Sequence, residues 1–130
     1  MTTIYKVVHR TFNGKLVSAQ AGATVHTKDL EVEYVPGEMV VPKVGKLFAF
    51  EHRWCAAEFI NDIVRPTQVW EAETTQCQRT DRETRIPSLV TSMRNIMYFW
   101  EAGENEGMTW PVPAGTVLCD DITLVRRVFP

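Results

Sequence analysis

Glu71 and Glu73 stand two apart in the apolar run VWEAE (Val69 to Glu73). In an extended chain, residues i and i+2 share a face, so the two carboxylates point one way while Trp70 and Ala72 point the other. A carboxylate pair so placed can orient a sugar hydroxyl with one member and stabilise developing positive charge with the second. The same spacing recurs at Glu31 and Glu33 in LEVEYV, so the pattern also suits the wet face of an ordinary strand. Arg79, Arg82 and Arg85 form a second candidate, at three-residue intervals. Guanidinium forks suit phosphate because two parallel hydrogen bonds match its geometry. Asp81 and Glu83 interrupt the run, which excludes the sustained basic stripe expected of a duplex binder but allows a compact phosphate ligand. The four tryptophans are the third candidate. Trp110 follows an acidic glycine loop and precedes Pro111, where an indole can close a pocket, stack on a base or anchor a partner.

The remaining chemistry-bearing residues point to no site. His9, His26 and His52 are far apart, and Cys55, Cys77 and Cys119 form no CxxC or CxxH, so no metal and no cofactor is expected. His52 sits at the start of a helical pattern, where a polar residue caps free N–H groups. Cys55 lies on the packing side of the same pattern and reads as a buried thiol. A formal charge of -2 gives no global attraction to nucleic acid or membranes, so any anion site must be local.

These residues need elements to hold them. IYKVVH, Asn13-Gly14 and KLVSAQ read as a β-hairpin, followed by the small polar loop AGATVHTKD. LEVEYV alternates with Leu30, Val32 and Tyr34 on one side and ends at the turn Pro36-Gly37. EMVVPKVGK is a short extended piece in which Pro42 disfavours a central position. LFAF (Leu47 to Phe50) is apolar on both faces, as a central strand is. In EHRWCAAEFINDIV the period changes: Ala56, Phe59, Ile60 and Ile63 recur at helical spacing, and Pro66 is a stop. TQVWEAET returns to alternation. QCQRTDRETR reads as an exposed loop, and residues 87–101 as a second helix with Leu89, Met93, Ile96, Met97 and Trp100 in one stripe. TVLC and ITLVRRV close the chain as strands. The sum is one α+β domain, residues 1–130: a mostly antiparallel sheet of six to eight short strands with one or two packed helices. The chain opens directly on a strand-like run, with no apolar stretch long enough for a signal peptide or span, so a soluble cytoplasmic protein without a membrane partner is expected.

Two resemblances add to this. Glu-x-Glu on a strand resembles the signature of arginine-specific mono-ADP-ribosyltransferases, in which Arg10, Glu71 and Glu73 would be the working residues; the family's serine motif is absent here. More of the chain resembles a loose group of small uncharacterised bacteriophage and prophage proteins. The segments carrying it are YKVV, Ser18, EYVPG ending at Gly37, LFAF, AAEF, VWEAE and PAGTVLC (Pro113 to Cys119). They are turn glycines, strand cores and one helix face, and bring no catalytic set. The resemblance implies an accessory or counter-defence protein of the host bacterial cytoplasm.

The resulting expectation is a non-enzymatic binding protein that sequesters a nucleotide-like small molecule or blocks a host protein. Trp70, Arg79, Arg82, Arg85 and Trp110 are its candidate binding residues. The alternatives are an ADP-ribosyltransferase-like enzyme and a structural or assembly protein of a virion. Exposed edge strands and aromatic residues would also suit a homodimer.

Overall fold

The computed structural model describes residues 1–18, 32–42, 46–60, 67–79, 85–86, 110–111 and 115–129. The predicted helix over 87–101, the loop around His26, Glu31 and Arg82 lie outside the described residues.

β1 (Thr2–Arg10) is the hub. Alternation buries Ile4 and Val8 on one face and Val7 on the other, so both faces of this strand are covered. The hairpin to β2 (Leu16–Ser18) forms as expected. Gly14 takes a φ of +84°, the left-handed backbone that Asn-Gly supplies at least cost, and the Lys15 amide donates to Thr11 Oγ1 at 3.0 Å. β2 pairs with β3 (Glu33–Tyr34). The Pro36-Gly37 turn then carries the chain to β4 (Met39–Val40), a short edge strand on β11, which agrees with the bar that Pro42 sets on a central place. β5 (Leu47–Phe50) runs between β1 and β10 (Thr116–Cys119), the central position its apolar sequence required. β6 (Thr67–Thr74) lies between β1 and β11 (Ile122–Phe129), and β7 (Cys77–Arg79) is the edge strand on β10. β8 (Arg85–Ile86) and β9 (Trp110–Pro111) form a separate two-stranded ladder. Every pairing is antiparallel, and one helix, α1 (Arg53–Ile60), is present among the described residues.

Eleven strands are described where six to eight were expected. The excess has two sources. Several pairings, such as Glu33–Tyr34 and Met39–Val40, last only two residues. Others, β7, β8 and β9, fall in segments that read as loop or turn; Thr75-Gln76 divides β6 from β7 at the level where Asp120-Asp121 divides β10 from β11, the two closing strands expected. The buried Asp121 carboxylate accepts the Thr75 amide (2.9 Å) and its hydroxyl, and the Asp120 amide donates to the Gln76 carbonyl (3.0 Å). QCQRTDRETR is likewise not wholly loop, since Arg79 belongs to β7 and Arg85 to β8.

The bend brings the inner residues of β10 and β11 to one core. Ile4, Leu47, Ala72, Val117, Ile122 and Leu124 pack together there with Val8 and Tyr34. On the opposite face of β1 and β6, α1 lays Cys55, Ala56 and Phe59 against Val7, Phe50 and Val69. The Phe50 and Phe59 rings meet at 5.2 Å between centroids, tilted by 44°. The helix starts on the His52 backbone, whose carbonyl accepts from the Cys55 and Ala56 amides; the His52 ring stacks on Trp54. Gly115 (φ +77°) lets β10 begin against this helix: a Cβ there would stand 2.6 Å from Cys55 Sγ. No helix of the described residues is long and apolar enough to cross a membrane.

Candidate functional site

Trp70 does face away from the glutamates, as alternation requires, and it looks into a cleft. In the antiparallel register Trp70 stands opposite Lys6 on β1 and opposite Arg127 on β11. Directly opposed residues share a face, so the indole is flanked by a cation on each neighbouring strand. Arg10, at the end of β1, and Lys15, past the hairpin turn, bring further positive charge to the same end of the sheet. Tyr34 and Pro36 also line the cleft. It is a shallow depression open to solvent, with a volume of about 430 Å³.

The charge balance of this cleft is positive. Arg10, Lys15 and Arg127 line it against one carboxylate, Glu33, which lies 4.0 Å from Lys15 Nζ. Among the described residues neither Arg10 nor Arg127 has a carboxylate partner. The Trp70 indole is half-buried, and its Nε1 donates to Gln68 Oε1 at 3.0 Å, which fixes the ring against the cleft wall. An aromatic face with Arg127 beside it, in a cleft that Arg10 also lines, can stack a flat base and neutralise the phosphate attached to it.

Lys6 stands next to this site and was not singled out from the sequence. It is 7% exposed, its Nζ donates to the Phe48 carbonyl at 2.6 Å, and it lies 5.5 Å from the centroid of the Tyr34 ring. Burial lowers its pKa from 10.5 to about 8, with Cys119 opposing that shift. The signal was in YKVV all along: period-two alternation puts Lys6 between Ile4 and Val8 on the core face. Gln68, Lys15 and Arg127 were also missed. They come from three separate segments and form no local motif.

The other sequence candidates fall elsewhere. Glu71 and Glu73 lie on the outer face, and Glu71 accepts from Arg126 Nε at 3.1 Å. They pair with Tyr5 and Thr3, five and seven residues from Arg10, which is roughly 17 and 23 Å along the strand. The structure therefore does not bring Arg10 together with the two glutamates, and it sets them on opposite faces. Arg79 is exposed on β7 and ion-paired with Glu51; it does not line the cleft. Arg85 and Trp110 are placed only as backbone, on β8 and β9, with Trp110 opposite Ile86. Cys55 is buried, and its thiol pKa is raised by burial and then by Glu58 and Glu51, the reverse of what a nucleophilic thiol needs. Among the described residues no group of three or more His, Cys, Asp or Glu side chains is placed to hold a metal ion.

No protein-family model matches the chain, and no curated protein or solved structure is detectably similar to it, so the cleft's own chemistry carries the functional reading.

Proposed function

We propose that the chain is a non-enzymatic binding protein that captures and sequesters a nucleotide-like small molecule in the cleft beside Trp70. The base stacks on the indole, and Arg10 and Arg127 hold the phosphate. The observation that supports this most is the cross-strand placement of Trp70 beside Arg127, at the mouth of a cleft that also takes Arg10. The resemblance to phage accessory proteins implies a protein that sequesters a small signalling molecule or blocks a host protein, and the nucleotide reading is one form of the first. Of the five residues expected to bind, Trp70 lines this cleft and Arg79 does not, while Arg82 and the side chains of Arg85 and Trp110 lie outside the described residues.

Calorimetric titration against a panel of linear and cyclic nucleotides tests the proposal. Binding is expected for at least one member, weakening as salt rises because the phosphate is held by exposed charges. Silence across the panel would overturn it and leave capture of a host protein as the surviving expectation.

A further inference from the structure

The Gln68 side chain constrains which base the cleft accepts, an inference that rests on the nucleotide site proposed above. An indole nitrogen only donates, so the 3.0 Å contact from Trp70 Nε1 fixes which end of the Gln68 amide is the oxygen. The amino end, Nε2, is then the uncommitted end, and no acceptor among the described residues takes it up. Gln68 and Trp70 are two apart on β6, so they share the cleft face and both line it. The other polar groups of the cleft repeat the pattern. Arg10, Lys15 and Arg127 are donors, and Glu33, the one acidic side chain, faces Lys15.

We propose that the cleft selects a 6-oxopurine nucleotide over a 6-aminopurine one, with Gln68 Nε2 donating to the base edge and Trp70 holding the amide in that orientation. A 6-oxopurine offers two adjacent acceptors, O6 and N7, on this edge. A 6-aminopurine keeps N7 but replaces O6 with an amino group, whose partner on glutamine would be Oε1, the atom that the Trp70 N–H already holds. Inosine and adenosine monophosphates share ribose, phosphate and nearly all stacking area, so comparing them isolates the edge.

The test is calorimetric titration of the full chain with inosine monophosphate and adenosine monophosphate at one ionic strength. The inosine nucleotide is expected to bind more tightly by roughly tenfold, the size of a single well-placed base contact. Trp70→Phe keeps a ring to stack on but removes the N–H, freeing the amide to turn. Both nucleotides are expected to bind it more weakly, with their affinity ratio moving toward one. Gln68→Glu replaces the donor with an acceptor and is expected to reverse the preference. Equal wild-type affinities, or a ratio unchanged in both variants, would overturn the role of Gln68 while leaving the nucleotide site standing. Absence of binding by both monophosphates while another member of the nucleotide panel binds would overturn the base preference alone, and silence across the panel would overturn both.

Discussion

Lys6 offers a quantitative check on how the sheet closes around its core. Its ammonium is 7% exposed and bonded to one backbone carbonyl, and burial lowers its pKa from 10.5 to about 8. Below pH 8 the lysine is protonated in both folded and unfolded chains, so the cost of burying its charge is borne in full. Between pH 8 and 10.5 the unfolded chain holds the proton that the folded chain has released. Stability conferred by this group therefore rises with pH across that window. At 1.36 kcal/mol per pH unit, the gain between pH 8 and 9.5 is about 2 kcal/mol. Cys119 acts in the opposite sense: burial pushes its thiol up from 9.0 to about 12, so stability is lost as pH rises through that range. The comparison is therefore best made in a Cys119→Ala background, with Lys6 or Lys6→Met. Urea unfolding at pH 7 and pH 9.5 should show the lysine protein gaining about 2 kcal/mol relative to its methionine partner. A difference that stays constant between the two pH values would mean an ordinarily hydrated lysine, and would refute the placement of Lys6 on the core face.

Three further outcomes follow from the geometry. Gly115→Ala should cost about 2–4 kcal/mol in urea unfolding, since it combines a left-handed backbone with a clash on Cys55 Sγ, and Cys55→Ala should recover part of that loss. Thiol labelling at pH 8 should modify the partly exposed Cys77 quickly, and the buried Cys55 and Cys119 only at the rate of unfolding. Glu71→Gln removes an ion pair whose arginine is largely exposed, so urea unfolding should change by less than about 1 kcal/mol, and nucleotide affinity measured by calorimetry should hold within about twofold because Glu71 faces away from the cleft.

Local signals in the sequence located most of the scaffold. Asn13-Gly14 and Pro36-Gly37 gave turns because few other residues adopt those backbones cheaply, and both glycines have positive φ. The double-sided apolarity of LFAF gave a central strand, and the change of period at Ala56 and Phe59 gave the helix. Alternation also separates Trp70 from Glu71 and Glu73. Of the residues lining the site, Trp70 and Arg10 were named from the sequence, Arg10 for a different chemistry. Arg10, Lys15, Gln68 and Arg127 meet through strand pairing between distant segments, and nothing in their local sequence announces it. Arg79, whose regular spacing with Arg82 and Arg85 suggested a shared ligand, lies on β7 and pairs with Glu51, while Arg82 and the Arg85 side chain lie outside the described residues. The break at Asp120-Asp121 was legible, but its tie to Thr75 was not, because it depends on a carboxylate 46 positions away reaching a backbone amide.

The most direct test of the central claim is the indole N–H region of a ¹⁵N–¹H NMR spectrum, recorded while inosine monophosphate is added. Trp70 is assigned by the peak lost in Trp70→Phe, and Trp54, exposed on α1 at the other face of the sheet, serves as the internal reference. The expected result is a saturable shift of the Trp70 peak with the Trp54 peak unmoved, abolished or weakened in Arg127→Ala. A Trp70 peak that stays in place while the nucleotide binds, or that shifts just as readily in Arg127→Ala, would contradict the assignment of this cleft as the binding site.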